Sequence, residues 1–154
     1  MTPAIEAARR ANIGHRVIEF ECRTERGYGD EASAALGVLP ELIYKTLVAK
    51  LDGKRLAVAL VPVTTELNLK ALAAVAGAKR AEMATPQEAE RSTGYVVGGI
   101  SPFGQRRRLD TYVDARVVTL DRVYVSAGRR GLELELAPKD LLEGCAARIG
   151  EIAR

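Results

Sequence analysis

Two β-rich runs joined by a tight turn are the feature that most restricts how this chain can fold. Residues 43–51 (IYKTLVAKL) and 55–63 (RLAVALVPV) are rich in branched and aliphatic side chains, and Asp52-Gly53 lies between them. An Asp-Gly pair favours the two-residue turn that connects neighbouring antiparallel strands. The sequence therefore predicts a β-hairpin over residues 43–63.

Further helices and strands are predicted on both sides of this hairpin. Thr2 is the expected N-cap of the first helix, and Thr85 with Glu88 has the spacing of a capping box. Helices are predicted over residues 3–12, before Gly37, and over 68–77, 85–94 and 138–154. Strands are predicted over residues 15–21, 79–84 and 111–120, with a second hairpin over 122–137 around Gly128 and Gly131. This order predicts an α+β fold, a single domain over residues 1–154 with a mixed, mostly antiparallel sheet flanked by helices.

The composition limits the core and the partners. The chain is 47% hydrophobic but only 5% aromatic, with no tryptophan, so the core must be aliphatic. Its 23 basic and 20 acidic residues give a net charge of +3, which does not suggest tight, nonspecific DNA binding. No apolar run approaches the roughly 20 residues that span a bilayer. We therefore expect a cytoplasmic protein that binds neither DNA nor membranes.

Two segments of the sequence come close to known catalytic or cofactor-binding motifs but do not match them. Residues 27–32 have the spacing G-x-G-x-x-A, but Asp30 and Glu31 would put carboxylates where a dinucleotide's pyrophosphate must lie. The run GISPFG is not the hydrolase motif G-x-S-x-G, and Pro102 prevents the tight turn after Ser101. The sequence therefore gives no sign of a dinucleotide enzyme or of a serine hydrolase.

Metal chemistry is also not indicated. The chain has one histidine, His15, and two cysteines, Cys22 and Cys145, that are far apart in sequence. Zinc sites need four ligands, or three and an open position, usually at close spacing. The two cysteines are expected to be free thiols in a reducing compartment. We expect neither a metal nor a cofactor.

Lys45 is unusual because it lies within an apolar strand. Under strict alternation its side chain shares a face with Ile43 and Leu47. A lysine among aliphatic neighbours is costly unless it has a partner or borders a cavity. Two interpretations stay open: a substrate-site lysine whose charge suits a phosphate, carbonyl oxygen or carboxylate, or an edge-strand lysine that reaches water.

The stretch RSTGYVVGGISPFGQRRR, residues 91–108, combines a bare backbone with positive charge. Gly98 and Gly99 lack Cβ atoms, so their N–H groups can approach a ligand and hold an anion or a developing oxyanion. A plain structural turn is the alternative. Five arginines are either phosphate contacts or a solvated basic edge: Arg106, Arg107, Arg108, Arg129 and Arg130.

These stretches together resemble the YbaK family of aminoacyl-tRNA deacylases, which is related to the editing domain of bacterial prolyl-tRNA synthetases. The resemblance covers nearly the whole chain, through MTPAIEAARR, IYKTLV, VPVTTELNLKALA, EMATPQEAERSTGYVVGGISPFGQRRR and YVSAGRRGLELELA. It implies the YbaK fold, with a barrel-like sheet, and trans-editing of mischarged Cys-tRNA(Pro). The implied partner is aminoacyl-tRNA, in particular tRNA(Pro), with prolyl-tRNA synthetase as a candidate second partner.

The resemblance also assigns residues. Lys45 matches the family's most important side chain, near the ester and the terminal adenosine, and the reacting carbonyl is surrounded by Gly99, Ile100 and Ser101. The implied substrate-binding residues are Phe20, Tyr28, Thr46, Gly98, Pro102, Ser126, Gly128 and Glu133. Phe20 stands where tyrosine is expected and Glu133 where aspartate is expected, so the preferred amino acid stays open.

The chemistry implied by the family needs no nucleophile from the protein. The substrate's own cysteine thiol attacks its ester carbonyl and gives a cyclic thiolactone and free tRNA, so orientation supplies much of the acceleration. Three alternatives remain: a deacylase for Ala-, Ser- or Thr-tRNA that uses water, a noncatalytic module that binds aminoacyl-tRNA or the synthetase, and a thiol-dependent enzyme using Cys22 or Cys145.

Overall fold

A computed structural model describes residues 1–21 and 28–154, with side chains in the second range from residue 31 onward. The helices are α1 (Pro3–Arg10), α2 (Tyr28–Leu36), α3 (Leu69–Ala76), α4 (Pro86–Thr93) and α5 (Pro138–Gly144). The strands are β1 (His15–Glu19), β2 (Tyr44–Leu51), β3 (Arg55–Pro62), β4 (Ala81–Met83), β5 (Asp110–Asp114), β6 (Val123–Arg129), β7 (Leu132–Leu136) and β8 (Arg148–Gly150). Two short 3₁₀ helices cover Pro40–Leu42 and Ala115–Thr119.

The strands form two sheets. One has the order β1-β7-β6 and is antiparallel throughout. The other has the order β4-β2-β3-β5-β8, in which β5 pairs in parallel with both β3 and β8. An isolated parallel bridge between Ile43 and Tyr124 joins the two sheets. The α+β prediction, with mostly antiparallel sheets flanked by helices, is confirmed.

The two predicted hairpins are present. In the first, β2 and β3 pair from Tyr44 opposite Pro62 to Leu51 opposite Arg55. Three residues, 52–54, connect the paired Leu51 and Arg55, one more than the predicted two-residue turn. Asp52 and Gly53 both have positive φ, 52° and 66°, which suits a tight turn between twisted strands. In the second, β6 pairs with β7 and carries an irregularity between Ser126 and Arg129.

Local capping signals explain where three helices begin. The Thr2 side chain accepts a hydrogen bond from the Ile5 N–H at the start of α1. Thr85 and Glu88 form the complete capping box of α4, each side chain accepting from the other residue's N–H. Asn68 accepts from the Ala71 N–H at the start of α3. Such caps satisfy N–H groups that have no partner within the helix.

Two sequence predictions are wrong near the C-terminus. The strand predicted over residues 111–120 ends at Asp114, and the helix predicted over 138–154 ends at Gly144 and is followed by β8. The cause is the buried Asp114 carboxylate, which is 2% exposed. It accepts hydrogen bonds from the N–H groups of Arg116, Ile152 and Ala153 at 2.9–3.1 Å. This side chain therefore turns the chain after β5 and fixes the last residues beside it.

Replacing Asp114 with alanine is expected to lower the free energy of unfolding by about 3 kcal/mol, because buried N–H groups would lose a charged acceptor. Urea denaturation followed by circular dichroism measures the change. Asp110→Ala is the matched control, since the Asp110 carboxylate is exposed and its one ion pair among the described residues is with exposed Arg55 at 3.3 Å. The control should lose less than about 1 kcal/mol. Equal losses in both variants would contradict this role for Asp114.

The main apolar cluster is mostly aliphatic, with Tyr44, Tyr95 and Phe103 as its aromatic members, and it packs between the sheets and helices. Leu60 of β3, Val125 of β6 and Leu134 of β7 are fully buried in it. Ala4 and Ile5 place one face of α1 in the same cluster. No helix in the described parts of the chain combines the length and the apolar character that crossing a membrane requires.

Candidate active site

A cavity of about 560 Å³ lies where the two sheets meet. One wall is formed by residues 44–48 of β2, including Lys45. Ser126 of β6 and Glu133 of β7, which are paired across the other sheet, contribute a second wall. Gly98 and Ile100 contribute a third wall. They belong to residues 95–104, which follow α4 and are here called the glycine loop. The structure therefore brings the strand lysine and the glycine loop to one site.

The pairing of β2 explains why a cavity forms beside Lys45. On one side, β2 is paired along its whole length with β3. On the other side, β4 pairs only with residues 49–51. Residues 44–47 are therefore not covered by β4. The cavity occupies the space beside this uncovered half of the strand.

Lys45 is half-buried and forms no ion pair with the described part of the chain. Lys50, on the same strand, forms an ion pair with Glu88 of α4. A partly buried ammonium group without a carboxylate partner is available to an anionic or carbonyl ligand. Of the two lysines of β2, Lys45 is therefore the candidate binding group, and Lys50 belongs to a surface ion pair.

Two hydroxyl groups of the cavity residues have no partner among the described residues. The Tyr44 OH and the Thr46 Oγ1 are both buried and form no hydrogen bond there. Burial raises the pKa of the Tyr44 phenol above its usual range, so the group stays a neutral donor. Buried polar groups are seldom unpaired in folded proteins, and such groups in a cavity are candidates for contact with a ligand. Strict alternation had placed Tyr44 away from Lys45, so the sequence prediction missed it.

The glycine loop is held by its own hydrogen bonds. The Tyr95 OH donates to the Phe103 carbonyl at 2.6 Å, which closes the loop at its base. The Val97 N–H donates to Glu90 Oε2 at 2.9 Å, and the Gly99 N–H donates to the Val96 carbonyl at 2.8 Å. The conformation of the loop is therefore set before any ligand binds.

Gly98 and Gly99 allow this loop to pack directly against the second hairpin. Gly98 has φ of 97°, and a Cβ there would lie 2.7 Å from Arg130 Nη1. A Cβ on Gly99 would lie 2.6 Å from the Arg129 Cα atom. The Arg130 guanidinium can shift away from a Cβ on Gly98, where the positive φ itself favours glycine, but the Arg129 backbone cannot shift away from a Cβ on Gly99. The bare backbone is needed for close packing as well as for any approach by a ligand.

Seven of the predicted site residues line the same cavity: Lys45, Thr46, Gly98, Ile100, Ser126, Arg130 and Glu133. Glu133 is only 1% exposed, so the cavity contains a buried carboxyl group. No described group of three or more His, Cys, Asp and Glu side chains is placed to hold a metal ion. The arrangement suits a ligand with anionic and carbonyl oxygens next to a small apolar part.

Other predicted residues do not line this cavity in the described part of the chain. The Gly99 N–H is already used within the loop, and Ser101 is fully buried with its Oγ accepting from the Phe103 N–H at 3.2 Å. Gly128 lines a neighbouring cleft. Phe20 packs against the cluster that contains Ile43. The side chain of Tyr28, the first residue of α2, lies outside the described part of the chain.

The five arginines predicted to contact phosphates fall into two groups. Arg129 and Arg130 flank the glycine loop, and Arg106 lies beside Gly94 at the end of α4. Arg107 and Arg108 instead line a separate cavity of about 260 Å³. They point to a different part of the surface from Lys45.

Cys145 lies in that separate cavity, together with Pro102. Its thiol faces the Pro102 carbonyl oxygen, with the sulfur 3.6 Å from it. Burial raises the pKa of Cys145 to about 12, so the thiol stays protonated near neutral pH. Cys22 lies outside the described residues. The described thiol is therefore neither ionised nor next to Lys45, which argues against a nucleophilic role for it.

The chain is similar to proteins of one family. The aminoacyl-tRNA editing domain family matches residues 27–143. The chain is 32% identical over 151 residues to Enterococcus faecalis EbsC, described as a proposed Cys-tRNA(Pro)/Cys-tRNA(Cys) deacylase, with 98% of this chain and 92% of EbsC covered. It is 43% identical over 75 residues to a proline–tRNA ligase of Nitratidesulfovibrio vulgaris, covering 49% of this chain and 13% of the ligase. A solved structure described as a proposed trans-editing enzyme for prolyl-tRNA synthetase shares the fold, with TM-score 0.86, 24% identity and coverage of 100% and 99%.

Proposed function

The chain belongs to the aminoacyl-tRNA editing domain family, and from this premise we propose that it is a trans-editing deacylase that clears mischarged Cys-tRNA(Pro). The observation that carries the proposal is that Lys45 and the glycine loop line one cavity. A synthetase cannot discriminate strongly between amino acids of similar volume, so a second site must remove the wrong one. The relative EbsC, described as acting on Cys-tRNA, supports this choice of substrate.

The size and the walls of the cavity support an aminoacyl-adenosine end as its ligand. Its volume of about 560 Å³ is within the range of roughly 300–1,000 Å³ that is typical of small-molecule sites. Val48, Val63 and Ala89 give it apolar walls for a small side chain. Lys45, in turn, supplies the positive charge for the phosphate or the 3′-terminal ribose and polarises the ester.

The oxyanion is assigned to backbone N–H groups of the glycine loop. The Gly99 N–H is committed to the Val96 carbonyl. The N–H groups of Gly98 and Ile100 donate no hydrogen bond to other residues in the described ranges, and both residues line the cavity. We assign the oxyanion to these two groups. Gly99 and Ser101 then act by holding the loop in place.

The proposed reaction uses the thiol of the substrate's cysteine. The thiol sulfur, losing its proton, attacks the ester carbonyl carbon, and the bond from that carbon to the ribose oxygen breaks. The ribose oxygen takes up a proton, which leaves free tRNA and a cyclic thiolactone. No cofactor takes part in this step. The protein's contribution is to orient the thiol and stabilise the oxyanion.

A related deacylase that uses water is the second candidate. The buried Glu133 carboxyl group lines the cavity, and a carboxylate can orient and deprotonate a water molecule. Such an enzyme would act on Ala-, Ser- or Thr-tRNA, which carry no thiol. Phe20, in contrast, packs in another cluster and does not decide between these substrates in this structure.

A deacylation panel tests the proposal. Purified protein is incubated with Cys-, Ala-, Ser-, Thr- and Pro-tRNA(Pro), with and without prolyl-tRNA synthetase, and the loss of ester is followed. Selective loss from Cys-tRNA(Pro), with thiolactone in the products, is expected. Selective loss from another aminoacyl-tRNA would favour the water mechanism. Loss at the spontaneous rate for all substrates would indicate a noncatalytic binding module.

A further inference from the structure

A second opening, here called the outer cleft, lies beside the proposed active site. It has a volume of about 310 Å³, and its walls include Val96, Val97, Gly128, Arg129 and Arg130. Val97 and Arg130 line both the outer cleft and the Lys45 cavity. The two spaces therefore lie side by side, with these two residues as their common wall.

The outer cleft combines an apolar surface with positive charge. Val96 is 73% exposed and Val97 is 48% exposed, and they are consecutive residues on a loop held by hydrogen bonds. Arg129 and Arg130 belong to the same cleft. The Arg129 guanidinium pairs with the exposed Glu19 carboxylate at 2.8 Å, an exposed ion pair weak enough for a phosphate to replace. Arg106 lies beside the Gly94 wall of the cleft. Apolar side chains contact the faces of nucleobases, and arginines contact phosphates. A single nucleotide offers both a base for the apolar contact and a phosphate for the arginines.

We propose that the outer cleft binds the nucleotide that precedes the terminal adenosine of the aminoacyl-tRNA. Its base lies against Val96 and Val97, and Arg129 and Arg130 contact its phosphates. The assignment rests on the proposed function, because it takes the aminoacyl-adenosine end to occupy the Lys45 cavity. It also explains why two adjacent valines are exposed just before the buried residues 99–103 of the same loop.

The decisive experiment compares a long and a short substrate. Kinetics are measured on Cys-tRNA(Pro) and on 2′(3′)-O-cysteinyl-adenosine, which has no preceding nucleotide. Val96→Asp is the main variant, because Val96 lines the outer cleft but not the Lys45 cavity. It should reduce kcat/KM on the tRNA by about 10-fold through loss of base contact and repulsion of phosphate. On the short substrate it should stay within about twofold of the wild type.

Matched controls separate this effect from general effects of charge. Val118→Asp changes another exposed valine, 60% exposed, on the 3₁₀ helix that follows β5. It should leave both substrates unchanged. Arg129→Ala should weaken action on the tRNA and reduce its salt dependence, whereas Arg148→Ala, at exposed β8, should do neither.

Each outcome decides the proposal. Equal losses on the two substrates, or no loss on either, would overturn it. If the wild type cleaves neither substrate, the proposed function fails, and equilibrium binding then tests the cleft by itself. A hairpin RNA that ends in CCA should bind the wild type more tightly than Val96→Asp does, whereas adenosine monophosphate should bind both equally. Equal RNA binding would reject the outer cleft as a nucleotide site.

Discussion

Lys45→Ala is expected to reduce kcat/KM for the aminoacyl-tRNA that the wild type cleaves by at least about 100-fold. Removing one well-placed group that stabilises charge in a transition state commonly costs a factor of about 100 to 1,000. Lys45 is the half-buried cation of the cavity that forms no ion pair within the described residues. Single-turnover deacylation with excess enzyme measures the change and separates it from product release.

The neighbouring lysine of the same strand provides the control. Lys50 is paired with Glu88 and does not line the cavity, so Lys50→Ala should change deacylation less than about twofold. Lys45→Met keeps the aliphatic stem and should be as inactive as Lys45→Ala while remaining folded. Deacylation by Lys45→Met at the wild-type rate would show that the positive charge of Lys45 is not needed and would contradict its proposed role.

Local signals in the sequence account for what was predicted correctly. The Asp52-Gly53 turn places two positive φ angles where strand twist requires them, and the capping box of Thr85 and Glu88 starts α4 as expected. These features depend on residues at most three positions apart. The fold was therefore predictable wherever neighbouring residues determine the backbone.

The errors arise from contacts between distant parts of the chain. The carboxylate of Asp114 accepts hydrogen bonds from the N–H groups of Ile152 and Ala153, almost 40 residues later in the chain. No local sequence pattern predicts such a contact. In β2, alternation marked Lys45 as a candidate site residue, with an edge-strand lysine as the alternative, and placed Tyr44 on the other face. Both residues line the cavity, because β4 covers only the last part of the strand. Where β4 stops pairing with β2 is determined by the tertiary structure, and the periodicity of the sequence does not specify it.

Gly99→Ala is expected to impair both folding and deacylation, because the new methyl group has no space. A Cβ at this position would lie 2.6 Å from the Arg129 Cα atom, which belongs to the backbone of β6 and cannot rotate away. Overpacking of this kind costs roughly 1–3 kcal/mol. The loop has to move off the hairpin, and the N–H groups of Gly98 and Ile100 move with it. A fall in activity of at least about 10-fold should therefore accompany the loss of stability.

Gly14→Ala is the matched control for this substitution, since a Cβ on Gly14 meets nothing within 4 Å. Urea denaturation and single-turnover deacylation are measured on both variants, with activity recorded where each is fully folded. Gly14→Ala should match the wild type in both. If Gly99→Ala is destabilised but keeps full activity when folded, the loop position does not control the chemistry. If it is as stable and active as the wild type, the tight contact between loop and hairpin is not required, because the methyl group is accommodated without moving the oxyanion donors.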